Sequence, residues 1–230
     1  MAIKKKRLSS KALVAIILIV VLAIASAAIV YVATQSSSKP TEPGVHVGDT
    51  FTYSLMGNSI LFSQDASTPA YLSEYNETNY YKVIITGVNG LVVSFNTIWQ
   101  FTNGTEIQNA DTIDLSTGNY SGDFWAIYPT NLNINNKLYP KEPNTELIVN
   151  NTGSQPYSSG NRTTDYWSIE KEFTDTNDPT HSTTMDNLIE VYFDKQTGML
   201  DYLDNVLEYN NPEYNILITW QLTNSTAWGV

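Results

Sequence analysis

The feature that most constrains this chain is a run of 22 residues without a charge, Ala12 to Ala33. As a helix with a rise of 1.5 Å per residue it is about 33 Å long, which is enough to cross a hydrocarbon core of about 30 Å. Five of the 12 basic residues of the chain lie in the 11 positions before it. Because Lys and Arg are in excess on cytoplasmic flanks, we expect a cytoplasmic N-terminus and an exported C-terminal part.

The apolar run divides the chain into parts with different roles. We expect a cytoplasmic basic tail (1–11), a transmembrane signal anchor (12–33), a linker (34–45) and an extracytoplasmic domain (46–230). The protein is then a single-pass protein of the cell membrane.

Two other fates of the apolar run stay open. Residues 25–27 read Ala-Ser-Ala and fit a signal-peptidase site, whose use would release a secreted domain. Alternatively, the N-terminus resembles that of archaeal pilins, which are cut just before the apolar helix and bundle their helices into a filament. Pro40 and Pro43 argue against the filament, because proline ends a helix soon after the membrane.

The composition of the exported part limits its partners and its chemistry. All 23 acidic residues but only seven basic ones follow the apolar run, which gives a formal charge of −16. This charge argues against nucleic acid and anionic lipid headgroups as partners. The chain has no Cys, so disulfides and thiolate metal sites are excluded, and its 15 Tyr and 5 Trp favour strands.

Period-two alternation predicts an all-β domain. From Leu91 to Phe101 apolar and polar residues alternate, and Asn-Gly pairs flank this strand at 89–90 and 103–104. Since Asn-Gly suits a tight type I′ turn, we expect a three-stranded antiparallel meander over 80–88, 91–101 and 105–115.

Further strands, a turn and one short helix complete the predicted fold. We expect strands at 50–55, 124–128, 146–150, 163–173, 188–193, 199–208 and 214–222. Gly198 is predicted to take the left-handed position of a turn with a glycine bulge. Thr68-Pro69 predicts the start of a helix over 70–75, and 153–160 and 174–184 read as loops. These antiparallel meanders form either a β-sandwich or a strongly curved half-barrel sheet.

Several stretches carry a resemblance to known proteins. With the basic N-terminus and the apolar run, they are VGDTFTYSL, YYKVIITGVNGLVVSFN, FTNGTE and VYFDKQTGMLDYL. In this combination the chain resembles uncharacterised archaeal membrane-anchored exported β-domain proteins, a group without an established activity. The hairpin FDKQTGML is in addition similar to one hairpin of lipoprotein-carrier-like half-barrels.

The inventory of chemical groups predicts that the protein is not an enzyme. There is no G-x-S-x-G or H-E-x-x-H motif, and the two histidines, His46 and His181, lie in the linker exit and in a polar loop. Glu170 and Glu172 share one face of a strand and are the candidates for a carbohydrate-active pair, but exposed strands often carry such charges.

No cofactor is expected, and calcium is the one ion that the sequence leaves open. Asp175, Asn177 and Asp178, with Asp186, offer oxygen ligands, although Pro179 and Thr180 exclude an EF-hand.

Asparagines and tyrosines mark candidate surface positions. Six N-x-S/T triplets make glycosylation candidates of Asn76, Asn103, Asn119, Asn150, Asn161 and Asn224. Tyr80, Tyr166 and Tyr202 alternate with core positions, so their rings are candidates for stacking on sugars or on another protein. We expect Trp99, Trp167 and Trp220 to face the core.

Topology, charge and the lack of catalytic groups together favour a non-enzymatic binding or structural protein of the cell envelope, with an envelope protein or glycan as partner. One alternative is a carrier or sensor that holds an apolar ligand or lipid in a curved sheet, and another is a pilin-like filament subunit. An open apolar trough favours the carrier, and a filled interior favours the binding protein.

Overall fold

The alternating segments form strands of one antiparallel sheet in the computed structural model, which describes residues 41–174 and 184–230. The strands are β1 (Thr50–Leu61), β2 (Thr78–Asn89), β3 (Val92–Phe101), β4 (Glu106–Asp114), β5 (Asn151–Tyr157), β6 (Gly160–Thr174), β7 (Thr184–Asp194), β8 (Leu200–Asn210) and β9 (Glu213–Ser225). One short helix, α1 (Leu72–Asn76), follows β1. The all-β prediction is confirmed, with a single sheet among the described residues where a sandwich would need two.

The order of the strands joins two meanders through the first strand. Along the sheet the order is β4-β3-β2-β1-β9-β8-β7-β6-β5, so the predicted meander of β2, β3 and β4 is confirmed. β1 pairs with both β2 and β9, and its pairing with β9 runs on to Leu61 opposite Tyr214. This second partner explains why β1 is 12 residues long and continues beyond the predicted segment.

The glycine turns lie where the sequence predicts them, but one of them has a different turn type from the predicted one. Asn89 pairs with Val92, so the two-residue loop is Gly90-Leu91, with Gly90 at φ +59° in the first position as in a type II′ turn. The predicted type I′ turn is therefore wrong, because it needs positive φ at Asn89 as well. Gly198 has φ +74°, and its N–H donates to the carbonyl of Asp194 at 2.7 Å, which confirms the predicted bulge turn.

One face of the sheet, called the core face here, is covered by residues 115–150 and α1. Phe124 lies at the centre of this cover, with ring centroids 5.6 Å from Tyr53 and 6.1 Å from Trp220. Further along, the Tyr128 ring packs at a tilt against Phe193, with ring centroids 4.3 Å apart, and its hydroxyl accepts a hydrogen bond from the Trp167 indole at 3.0 Å. The predicted strands at 124–128 and 146–150 are wrong, because these runs form part of the cover and make only isolated bridges, Ile127 to Met199 and Ile148 to Lys137 within the cover.

Two other local predictions needed correction. β5 lies where a loop was predicted over 153–160, and it is an edge strand that pairs only with β6. α1 exists, but it begins at Leu72 with Tyr71 at the N-cap and no side-chain cap, so the Thr68-Pro69 start is wrong. Leu72 is the buried residue of α1, and it packs with Ile216 and Ile218 of β9.

Some predictions fall on residues that lie outside the described ones. They are the basic tail, the transmembrane anchor at 12–33, linker residues 34–40, His181 and three of the calcium candidates, namely Asp175, Asn177 and Asp178. Among residues 41–174 and 184–230, no helix has the length and apolar character to cross a membrane.

Candidate functional site

Three tyrosines stand side by side on the face of the sheet opposite the core face. Tyr166 of β6 pairs with Tyr192 of β7, and Tyr192 pairs with Tyr202 of β8. Their ring centroids are 4.7 Å and 6.1 Å apart, and the central ring of Tyr192 is 39% exposed. We call this row the tyrosine ladder, and the side of the sheet that carries it the tyrosine face.

A β-bulge in β8 creates the tyrosine ladder. Phe193 pairs with Leu200 and Tyr192 pairs with Tyr202, so Asp201 is an extra residue in β8. In a regular hairpin Tyr192 would pair with Asp201, and Tyr202 would lie one place further along on the other face. The bulge therefore brings Tyr202 beside Tyr192 and leaves Asp201 without a partner across the strand pair.

Carboxylates hold the outer two rings of the ladder. The Tyr166 hydroxyl donates to Glu190 at 2.7 Å, and the Tyr202 hydroxyl donates to Asp204 at 2.9 and 3.0 Å. Burial raises the pKa of Tyr202, and the hydrogen bond to Asp204 raises it further, so this phenol stays neutral in the physiological range. The ladder thus presents neutral rings above a row of acidic groups.

Two hollows lie on either side of Tyr192. The larger, called the Asp201 hollow, has a volume of about 380 Å³ and is lined by residues of β5 to β9, among them Gln155, Tyr157, Thr164, Tyr202 and Gln221. The second has a volume of about 350 Å³ and is lined by Asn151, Ser154, Gln155, Thr164 and Tyr166. Both volumes fall in the range of about 300–1,000 Å³ that is usual for ligand sites.

Asp201 is the most unusual group of the larger hollow. It is 5% exposed, and neither of its carboxyl oxygens makes a hydrogen bond of good geometry among the described residues, although the hydroxyls of Tyr157 and Thr164 lie close enough to lower its pKa. Burial raises the pKa of Asp201 to about 8 and the charge of Asp194 adds to the shift, while the nearby Tyr157 hydroxyl and Arg162 guanidinium oppose it. At neutral pH this carboxyl is therefore mostly protonated, which is the state in which burial without a partner costs least.

The neighbouring carboxylate, Asp194, has the opposite environment. It is fully buried, and Arg162 binds it through two N–H groups at 2.7 and 2.9 Å. It also accepts hydrogen bonds from the backbone of Gln196 and from both the backbone and the hydroxyl of Thr197. Asp194 thus fixes the β7–β8 turn and has no free capacity for a ligand.

The core face contains a smaller cavity. It has a volume of about 170 Å³ and lies between Tyr75 of α1, the cover at 123–126 and strands β7 to β9. Most of its lining residues are apolar, but Asp123 and Asn205 also line it, and Oδ1 of Asn205 is buried without a hydrogen-bond partner among the described residues. The cover fills most of the core face, so little of an apolar trough is left.

The predicted sites are scattered over the domain. Tyr166 and Tyr202 meet in the tyrosine ladder, whereas Tyr80 lies on β2, with the Lys82 amine 4.6 Å from its ring. Tyr192 and Asp201 were not among the predicted site residues, because the place of each in the site depends on the bulge. Trp167 is buried in the core, and Trp99 and Trp220 pack against it, as predicted.

The carboxylate candidates are exposed strand residues. Glu170 and Glu172 lie on the same side of β6, and Glu172 pairs with the calcium candidate Asp186 of β7. Glu208 of β8 follows in the same row. Within residues 41–174 and 184–230, no group of three or more acidic or histidine side chains is placed to hold a metal ion.

All six glycosylation candidates lie at exposed positions, but their side chains differ in what they bind. The Asn76 amide both donates to and accepts from the backbone of Gly57, at 2.8 and 3.0 Å, so its modification would break two bonds that tie α1 to β1. Asn103 lies in the β3–β4 turn and Asn161 in the β5–β6 hairpin. Use of these sequons stays a prediction, and Asn76 is the least accessible of the three to a transferase.

Comparison with known proteins adds no relative: no family model and no curated protein matches the chain. The function is therefore inferred from the geometry of the described residues. The tyrosine ladder with its two hollows is the strongest candidate site, since it combines the exposed ring of Tyr192, two hollows of ligand size and a buried carboxyl without a well-formed hydrogen bond.

Proposed function

We propose that this chain is a membrane-anchored, non-enzymatic binding protein of the cell envelope. Residues 12–33 hold it in the cell membrane with the N-terminus in the cytoplasm, and the domain at 46–230 acts on the other side. The basic tail before the apolar run and the acidic balance after it support this orientation. The absence of Cys and the presence of only two histidines support a binding role over catalysis.

The single observation that carries the proposal is the tyrosine ladder with its two hollows. Buried rings on the core face are explained by packing, but the ring of Tyr192 is exposed between two hollows of ligand size. Exposed aromatic rings flanked by polar groups are typical of surfaces that bind sugars or proteins. An envelope component bound across the ladder would cover rings that folding leaves in water.

The shape of the sheet supports the same site. Five adjacent strands span about 19 Å when they lie flat at about 4.8 Å spacing. The Asp201 hollow nevertheless has walls from all of β5 to β9. We infer a strongly curved sheet, of the half-barrel kind, whose curvature on the tyrosine face forms the hollow.

The test of the proposed function uses the full-length chain in detergent. Immobilised wild-type protein is incubated with envelope fragments from the native cells, and the retained material is quantified. We expect Tyr192→Ala and Tyr202→Ala to reduce retention, while Tyr80→Ala, a tyrosine of the same sheet outside the ladder, leaves it unchanged. Equal retention by all three variants would show that the ladder is not the binding surface.

The membrane anchor has its own test. The intact mass of the protein isolated from native membranes separates the three fates of the apolar run. The anchored form keeps residues 12–33, and loss of about the first 25 to 28 residues by signal-peptidase cleavage would contradict it. Cleavage near Lys11, together with filaments that vanish on gene deletion, would favour the pilin-like alternative.

A carrier of an apolar ligand is the second candidate, and the core-face cavity favours it. Its walls include Phe124, Ile218 and Trp220, and a ligand polar group would satisfy Oδ1 of Asn205. Its volume of about 170 Å³ lies below the usual range for ligand sites, so a lipid chain would have to displace part of the cover. Mass spectrometry of organic extracts of the purified protein tests this, since a carrier retains a stoichiometric lipid.

A further inference from the structure

The Asp201 hollow combines a buried carboxyl that lacks a well-formed hydrogen bond with walls of aromatic rings. Tyr157, Tyr192 and Tyr202 line it together with Asp201, whose carboxyl oxygens lie just beneath its surface. Aromatic faces attract organic cations within about 6 Å of the ring centroid, and a carboxylate adds a full opposite charge. This is the chemistry of a site for an ammonium group.

The charges around the hollow also favour a positive ligand. Glu190 and Asp204 lie in the next row of the tyrosine face and pair with each other across β7 and β8. The nearest cation, Arg162, is held by Asp194 and stacks over the Trp228 ring at 4.3 Å. That guanidinium is shared with Asp194, and although its charge lowers the pKa of Asp201, burial and the charge of Asp194 outweigh it.

The same residues argue against a metal ion as the ligand. The hollow supplies a single carboxyl, while its other polar groups are amides and hydroxyls. Hard metal ions need several oxygen ligands in a tight shell, and an organic ammonium needs one anion and an aromatic wall. The volume of about 380 Å³ is that of a small organic group.

We propose that the Asp201 hollow binds an organic ammonium group, which the Asp201 carboxylate holds against the tyrosine rings. The proposal rests on the function proposed above in one respect: it names the chemistry of the ligand that the tyrosine face receives. The ammonium proposal can be wrong while the proposed binding function is right, because the tyrosine face can retain an envelope component whose binding does not involve an ammonium group.

Binding of a cation has a protonation signature. The titratable groups around Asp201 are Tyr53 of β1, Tyr157 of β5, Arg162 of β6 and Asp194 of β7. Burial raises the pKa of both tyrosines and the hydrogen bond to Asp194 raises that of Arg162, so none of these three titrates near neutral pH. A cation favours the ionised form of Asp201, so binding at neutral pH releases a proton.

The experiment measures binding of choline and ethanolamine, a quaternary and a primary ammonium, to the full-length chain by titration calorimetry in detergent. The control ligand is the uncharged isostere of choline, in which a tert-butyl group replaces the trimethylammonium group. We expect saturable binding of at least one cation and none of the isostere. For choline the apparent affinity should rise about tenfold from pH 7 to pH 9, because Asp201 ionises near pH 8.

Two variants separate the site from the general charge of the domain. Asp201→Asn keeps the shape of the side chain but removes the anion, and it should weaken cation binding by at least about tenfold. Asp186→Asn makes the same change of charge at an exposed position and should leave binding unchanged. Proton release, measured as the dependence of the heat on the buffer, should disappear with Asp201→Asn.

Several results would overturn the proposal. They are the absence of saturable binding of both cations to the folded wild-type chain, equal binding of choline and its isostere, and unchanged binding by Asp201→Asn. If methyl glucoside binds in the hollow and the cations do not, the ligand is a neutral sugar. If wild-type protein still retains envelope fragments through Tyr192 while choline does not bind, the ammonium proposal is wrong and the binding function stands.

Discussion

The β7–β8 turn and the Asp201 hollow are neighbouring regions that each bury a carboxyl group. The two carboxyl groups differ in how far their hydrogen-bonding capacity is used. Asp194 in the turn accepts two hydrogen bonds from Arg162 and three from Gln196 and Thr197. Asp201 in the hollow makes no hydrogen bond of good geometry among the described residues. Buried polar groups of native proteins are nearly always satisfied, so the turn serves the fold, and the unused hydrogen-bonding capacity of Asp201 is what the proposed ammonium ligand would use.

The largest effect is expected at the glycine of the turn. Gly198 has φ +74°, and a Cβ atom there would lie 1.8 Å from the carbonyl oxygen of Tyr128. Gly198→Ala combines a left-handed conformation with a clash against backbone, and should lower the free energy of unfolding by about 3–5 kcal/mol. Denaturant unfolding of the full-length chain in detergent, followed by tryptophan fluorescence, measures this loss.

The matched control for that change is Gly104→Ala. Gly104 also has positive φ, +85°, but nothing lies within 4 Å of its would-be Cβ. Its cost should therefore stay at about 1–2 kcal/mol, the conformational part alone. Equal losses for the two variants would mean that close packing of the turn against Tyr128 contributes nothing.

The next largest effect is expected when Arg162, the cation that binds Asp194, is replaced. Arg162→Met leaves the buried Asp194 carboxylate without its charged partner and should cost about 3 kcal/mol, the low end for a broken buried pair, because Arg162 is 18% exposed. Lys171→Met is the control, since its pair with Glu146 is exposed and 3.6 Å long. That variant should change the unfolding free energy by less than about 0.5 kcal/mol. If both variants lost a similar amount of unfolding free energy, the buried Arg162–Asp194 pair would stabilise the protein no more than an exposed ion pair does.

In the Asp201 hollow, a substitution that removes a charged group should stabilise the protein. Asp201 has a pKa of about 8 when folded, against about 3.9 for an unfolded Asp. Between the unfolded and the folded pKa, Asp201 holds a proton in the folded state that it has lost in the unfolded state. The free energy of unfolding of the wild type therefore falls by up to about 1.4 kcal/mol per pH unit as the pH rises toward 8. Asp201→Asn has no such loss and should exceed the wild type in stability by at least about 2 kcal/mol near pH 8, with the gap closing as the pH falls to about 4.

The measurement is denaturant unfolding of both proteins across that pH range, with Asp186→Asn as the control for a change of charge at an exposed position. The control should follow the wild-type pH profile. Parallel profiles of wild type and Asp201→Asn would mean that the Asp201 carboxyl is not buried in protonated form, which would remove the contrast with Asp194.

The contrast between turn and hollow also shows how far the sequence can predict this protein. Alternation predicted most strands, and Gly198 marked the β7–β8 turn. β5 was missed because an edge strand such as Thr152-Gly153-Ser154 needs no apolar face, and Phe124 was misassigned because a short apolar run can cover a sheet as well as join it. The pairing of Tyr192 with Tyr202 depends on one extra residue in β8, which no periodicity reveals.

The smallest effect on stability is expected at the centre of the ladder. Tyr192 is 39% exposed and contacts its neighbours mainly through ring pairs, so Tyr192→Ala should cost about 0.2–1 kcal/mol. Tyr128→Ala, on the fully buried cover, should cost about 3–5 kcal/mol in the same assay. A loss of that larger size at Tyr192 would show that the ladder is part of the structural core. A small loss, together with reduced retention of envelope fragments, would show that this ring is kept for binding.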